Sequence, residues 1–386
     1  MKPPEFYRGR EQTYLKHFFL ERYLERVAYN ILSFKNEFVY VDGFSGPWKS
    51  ADEDYEDTSF VIALKKLRTV RDGLKTRGRD VKIRCLFNDN NSAAYESLKS
   101  AVSSVHDIEI RPLCRDFEEV VPEIVKFVGN SFSLTFIDPT GWRGFGLQKI
   151  RPVLQLPGEV IVNFMFDFVN RFLEDPRPEI AETFNPLFGG PNWYSEVESR
   201  VRAGEAREDA VLDVYRSRFK KFGNFNHVTS TRILKPLADR SFFHLVYGTR
   251  HWKGLVEFRG VERKAIDVQE QVRDEAKITN RVQRTGQEDL FAKTGMKTES
   301  RTFESERNNN LQHGLAITRE NLSRRGSMKY EAVLSHALEL PLVWESDVQK
   351  WLQQMRQDRD IEIPELSGKS RTAKFGYTIV WKRSRN

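Results

Sequence analysis

Cysteine is almost absent from this chain: Cys85 and Cys114 are the only two in 386 residues. Each stands in or beside an apolar run. That excludes a disulfide framework and a thiolate-rich zinc site, and points to small packed residues in a reducing compartment. The seven histidines form no H-x-H, H-x-x-x-H or Cys/His cluster, so no metal is expected. No run approaches the roughly 18 uninterrupted apolar residues that cross a bilayer. The opening Met1-Lys2-Pro3-Pro4-Glu5 has no apolar signal core. No G-x-x-x-x-G-K-[ST] loop occurs, which argues against an ATPase of that type. The expectation is a cytoplasmic chain without a membrane segment.

What is present is a globular composition, 39% hydrophobic and 30% charged, long enough for one large domain and a smaller one. The formal net charge of +7 comes from 62 Lys+Arg against 55 Asp+Glu. Over this size it is a mild bias toward nucleic acid that many basic proteins share without such a role.

Residues 11–34 place Tyr14, Phe18, Phe19, Tyr23, Leu24, Val27 and Ile31 at helical spacing. That helix leads into Phe38-Val39-Tyr40-Val41, which ends in Asp42-Gly43-Phe44-Ser45-Gly46: a buried parallel strand feeding a tight turn. Further strands are expected at Val81–Phe87, Ile108–Ile110, Ser133–Ile137 and Glu159–Phe164, each followed by a helix-like run, and a late one at Phe242–Tyr247. Strands alternating with helices predict a doubly wound, Rossmann-like α/β sheet, whose ligands sit beyond the carboxyl ends of the strands. An acid stands at each of the first four ends: Asp42, Asp89, Asp116 and Asp138. Helix capping and turn preference explain some of these carboxylates, but less well all four.

S-adenosylmethionine (SAM) matches such a rim. Asp42, Gly43, Phe44 and Gly46 offer close backbone, Asp89 accepts ribose hydroxyls, and Asp116 with Phe117 suits the adenine edge and face. Asp138-Pro139-Thr140-Gly141-Trp142 lies where an acceptor amine would meet an acid, a constrained carbonyl and an aromatic ring; the plain alternative is a D-P turn closing a strand. Asn163, Asp167, Asn170 and Arg171 form a second polar set whose spacing is compatible with one helix face toward the rim, with a capping or surface role the favoured reading for Asn170.

The stretch 171–235 reads as mainly helical, and 269–325 as a polar helix passing into a linker. From Met328 apolar periodicity returns, followed by a basic turn and strand with Lys369, Arg371, Lys374, Lys382 and Arg383. These read as a small winged-helix-like module whose cations contact phosphates, or as a solvated basic edge. The expected division is a methyltransferase-like domain at 1–268, a polar helix and linker at 269–325, and the module at 326–386.

Tyr40-Val41-Asp42-Gly43-Phe44-Ser45-Gly46-Pro47 resembles the hallmark of the three-Cys-motif partner family, TcmP. Phe136-Ile137-Asp138-Pro139 with Gly141-Trp142, Asn163-Phe164 with Asn170-Arg171, and Thr249-Arg250-His251 with Gly254 support the likeness over roughly residues 10–265. Trp48 stands where that pattern carries a glycine. The resemblance implies a class I methyltransferase-like fold, a SAM site and a radical-SAM-like protein partner with a three-cysteine motif.

Overall fold

In the computed structural model, residues 1–46, 50, 52–173, 178–285, 301–366 and 372–382 are described. A short 3-10 turn at Pro4–Tyr7 precedes α1 (Glu11–Leu32). Then follow β1 (Glu37–Asp42), α2 (Ser59–Lys75), β2 (Lys82–Asn88), α3 (Ser92–Val102), β3 (Glu109–Leu113), α4 (Val121–Val128), β4 (Phe132–Ile137), α5 (Leu147–Leu154) and β5 (Gly158–Phe164). Helices α6 (Phe166–Leu173), α7 (Pro178–Thr183), α8 (Asn185–Phe188), α9 (Trp193–Arg202) and α10 (Arg207–Gly223) lead to β6 (His227–Leu234) and β7 (Ser241–Thr249). The rest comprises α11 (Trp252–Thr285), α12 (Arg301–Arg325), β8 (Ser327–Lys329), α13 (Tyr330–Leu338), α14 (Glu345–Gln357), β9 (Ile361–Glu362) and β10 (Thr378–Trp381).

The main sheet has seven strands in the order β3-β2-β1-β4-β5-β7-β6. Strands β1 to β5 pair in parallel, whereas β7 runs antiparallel to both of its neighbours, β5 and β6. The expected doubly wound sheet is therefore present, in its methyltransferase-like form. Alternation within each strand feeds two cores. Phe38, Tyr40, Cys85 and Phe87 face α1, α2 and α11, while Val39, Val41, Leu86 and Val162 face α4, α5 and α10.

One expectation is sharpened and one is corrected. The stretch 171–235 is not helical to its end: β6 occupies His227–Leu234, because Val228, Thr229, Thr231 and Ile233 favour a pleated surface buried on both faces. Within 269–325, helix covers 269–285 and 301–325. In α12 a narrow stripe of Leu311, Leu315, Thr318 and Leu322 is enough to pack it on α13, β8 and β10.

The last elements run helix, strand, helix, helix, strand, strand, and the small sheet has the antiparallel order β8-β10-β9. Apolar residues of these elements, among them Tyr330 and Leu334 on α13 and Ile379 on β10, are continuous with the core beneath α1 and α11.

In the motif Thr249-Arg250-His251 with Gly254, on the amino edge of the sheet, Arg250 and Gly254 are structural. Arg250 donates to four carbonyls, those of Leu154, Leu156, Gly158 and Gly223. A Cβ on Gly254 would lie 2.2 Å from the Tyr247 hydroxyl and 2.5 Å from Glu159 Oε1. Glycine is needed to admit the buried Tyr23–Glu159–Tyr247 cluster.

Candidate functional site

The turn after β1 is sewn into the sheet on both sides. Gly43 N–H donates to Phe136 O at 3.0 Å, extending the β1–β4 ladder. Ser45 N–H donates to Asn88 O at 2.9 Å, and Asn88 Nδ2 donates to Gly43 O at 3.1 Å, on the β2 side. Asp42 Oδ1 closes the turn by accepting the Phe44 N–H at 3.1 Å. The backbone of this rim is held in place before anything binds.

Neither glycine of the turn adopts a left-handed φ; space requires them. A Cβ on Gly43 would lie 2.6 Å from the Phe117 ring, and one on Gly46 would lie 2.4 Å from Asp89 Oδ2 and 2.7 Å from Ala94 Cβ. Gly46→Ala is expected to lower unfolding free energy by roughly 1–3 kcal/mol through overpacking, whereas Gly141→Ala, with no atom within 4 Å of the new methyl, leaves stability nearly unchanged. Denaturant titration of both variants checks this; equal stabilities would overturn it.

Asp89 is only 6% exposed. One carboxylate oxygen accepts the Gly46 N–H at 2.9 Å and the other the Asn91 N–H at 2.8 Å, so the side chain ties the first turn to the start of α3. Phe117 is buried against Gly43, with its ring 5.4 Å from that of Phe44. Asp116 is exposed and accepts from Asn90 Nδ2 at 2.8 Å. Asp42, Gly43, Phe44, Gly46, Asp89, Asp116 and Phe117 thus converge on one rim, as the sequence implies. Phe117 and Asp89 cover the glycines instead of standing back from them.

Asp138, just past β4, accepts from Lys16 Nζ at 2.5 Å and from Asn163 Nδ2 at 2.7 Å. Asp42 lies within electrostatic range of both Asp138 and Lys16. Burial, and then the Asp138 charge, push the Asp42 carboxyl up to about 7, against the Ser59 hydroxyl and Phe44 N–H, which favour the anion. Two carboxylates, one lysine and one amide therefore form a linked polar cluster at the ends of β1, β4 and β5.

Lys16 carries no motif, but one signal marks it. It precedes Leu20, Tyr23 and Val27 on the buried stripe of α1, and a cation inside an apolar stripe needs a partner.

Pro139 is buried. The Trp142 ring lies 5.4 Å from Phe184 and 5.9 Å from Phe168, with the Arg143 guanidinium 5.6 Å from its centroid. The second polar set divides. Asn163 is on β5 whereas Asp167, Asn170 and Arg171 are on α6, so Asn163 shares no helix face with the other three. Asp167 instead pairs with Arg171 and with Lys235, the latter at 2.7 Å.

Near the start of β7, Glu208 accepts from Ser241 and His244, and Arg232 lies beside it. Burial alone would raise its pKa, but the His244 bond and the Arg232 charge bring it down to about 2.

Among the described residues, no group of three or more His, Cys, Asp or Glu is arranged to hold a metal ion, and no helix is long and apolar enough to cross a membrane. In the carboxyl-terminal module Lys374 is exposed, and Lys382 is paired with Glu362 at 2.7 Å. Lys369, Arg371 and Arg383, together with Trp48, lie outside the described residues.

No family model matches the chain, and no curated relative matches it. Among solved structures it is similar to LPL1258 from Legionella pneumophila str. Philadelphia 1, of the DUF519 family. That likeness has 9% identity and a TM-score of 0.32, over 61% of this chain and 85% of that one. A loganic acid methyltransferase with SAH matches at 9% identity and a TM-score of 0.32, over 74% of this chain and 91% of that one. Likenesses of this size carry no weight for the site; the order and directions of the strands define the fold.

Proposed function

We propose that this chain is a SAM-dependent methyltransferase acting on nucleic acid or a nucleic-acid-linked substrate, together with a three-Cys-motif, radical-SAM-like partner. The observation that carries the reading is the rim itself. In a methyltransferase-like sheet, the β1 turn, Asp89, Asp116 and the Asp138 cluster meet beyond the carboxyl ends of four adjacent strands, where such sheets take ligands.

The donor set suits the cofactor. Gly43, Phe44 and Gly46 present backbone, Asp89 keeps a second lone pair on each oxygen for ribose hydroxyls, and Asp116 and Phe117 border an adenine. SAM, when bound, supplies an electrophilic methyl group. Asp138, with Lys16 and Asn163 holding its orientation, accepts an N–H from the acceptor amine and takes its proton, while the Pro139 carbonyl and Trp142 border the acceptor. Lys374 and Lys382, with Lys369, Arg371 and Arg383, would contact phosphates from the winged-helix-like module.

A second reading, a non-catalytic scaffold of the same fold that binds a protein partner or nucleic acid, is favoured by one observation. The Phe117 ring and the Asp89 carboxylate occupy the space in front of both glycines.

Isothermal calorimetry separates the two. The enzyme reading expects SAM binding in the wild type, weakened by roughly 1–3 kcal/mol in Asp89→Asn. No heat at high micromolar SAM would sink it. SAM binding that appears only in Phe117→Ala would establish the scaffold reading, because the ring alone would then be closing the groove.

A further inference from the structure

The packing of α11 against the carboxyl-terminal module leaves a groove that neither reading uses. At one end stands a run of rings: His251 lies 5.4 Å from Trp252, and Trp252 lies 4.5 Å from Phe375 of the segment between β9 and β10. Phe375 is 50% exposed, His251 is exposed, and Lys253 Nζ lies 5.6 Å from the Trp252 ring centroid. Trp252 shares one face of α11 with Val256, Gly260 and Arg263, which line a cavity of about 480 Å³ with Arg26, Ser346 and Gln349. From Trp252 to Arg263 the helix rises about 16 Å. Gln349 joins the two ends, since its amide exchanges hydrogen bonds with the backbone of Ala373 at 2.8 and 3.0 Å.

We propose that this groove binds single-stranded nucleic acid, stacking unpaired bases on Trp252, His251 and Phe375 and leading the phosphates past Lys253 and Arg263. The inference rests on the nucleic-acid part of the proposed function and not on its cofactor part. Exposed rings interleaved with cations match what bare bases and a phosphodiester require. The acids in the cavity are engaged: Glu257 with Arg26 at 3.1 Å, and Glu345 with the Tyr330 hydroxyl at 3.1 Å. A duplex fits less well. To enter a major groove about 12 Å wide, α14 would have to stand free. Instead Ser346 and Gln349, in its first half, face α11 across the cavity.

The test is fluorescence anisotropy of a labelled mixed-sequence 15-nucleotide strand, and of its duplex, with the full-length chain. The single strand is expected to bind more tightly than the duplex. Phe375→Ala weakens it about tenfold through the lost stacking. Lys253→Gln lowers the salt slope by about 0.7 through one lost phosphate contact. Lys253 is exposed, so the melting temperature of its variant stays unchanged. Circular dichroism at the binding temperature checks that Phe375→Ala, which loses ring contacts with Trp252 and Tyr330, is folded, and Arg263→Gln provides a third variant inside the cavity. Preference for the duplex, failure of either probe to bind, or affinity indifferent to all three substitutions would overturn the proposal. SAM calorimetry on the same variants is independent of the groove, so failure here is distinguishable from failure of the cofactor site.

Discussion

Arg259→Met is expected to lower the unfolding free energy by about 3–5 kcal/mol, the loss that follows when one partner of a buried ion pair is removed. Arg259 and Glu262 are each 1% exposed and 2.6 Å apart. The guanidinium also donates to the carbonyls of Ser230 and Leu338, to the Thr229 hydroxyl and, at 3.3 Å, to the Glu339 carbonyl. It therefore pins β6 to the end of α13. Glu262 Oε2 accepts the Leu342 N–H at 3.3 Å, so the pair holds the α13–α14 turn as well. Once Arg259 is gone, an uncompensated carboxylate and several carbonyls stay buried without their donors. Glu262→Gln added to Arg259→Met recovers the share due to the charge; the remainder reports the unmet carbonyls. Urea unfolding measures both, and hydrogen exchange in α13 shows whether the module loosens first. A loss under 1 kcal/mol, or unchanged exchange in α13, would show that the module is not held there.

The second large effect is on pH dependence. The Asp42 carboxyl is pushed up to about 7 in the folded chain, against about 3.9 when unfolded. Between those values the folded state retains a proton that the unfolded state has released. Its contribution is thus complete below about pH 4 and declines as pH rises toward 7, with a slope of up to about 1.4 kcal/mol per pH unit. Asp42→Asn removes this titration while keeping an acceptor for the Phe44 N–H. The stability difference between variant and wild type should therefore change steadily in the variant's favour from pH 4.5 to 7 and level off above that. Urea titrations across this range check it, and a difference that does not vary with pH would refute it. Because the Asp138 charge contributes to the shift, Asp138→Asn should draw the same transition toward lower pH.

Much of the rim is legible in the residues because its signals are local. Phe38–Val41 followed by Asp42-Gly43 announces a strand and turn within a few positions, and Asp89, Asp116 and Asp138 repeat the pattern at the next strand ends. The ends of β6 and the helical state of α12 are harder to see. A strand buried on both faces lacks alternation, and a polar helix with a four-residue stripe resembles a linker until a partner covers that stripe. Asn163 and Asn170 are seven residues apart, a spacing compatible with one helix, yet a strand end and a helix start intervene.

The chain alone determined its alternation of strands and helices, the position of each rim acid and the glycine turn after β1, since these follow from periodicity and turn chemistry over short spans. Tertiary structure decided which strands are neighbours, that β7 enters between β5 and β6 against their direction, and that Phe117 and Asp89 cover Gly43 and Gly46. It also decided that Lys16, more than a hundred positions away, is the cation that holds Asp138. The physical reason is one and the same: each of these features is a contact between residues far apart in sequence, fixed only when burial forces polar groups from separate elements to satisfy one another.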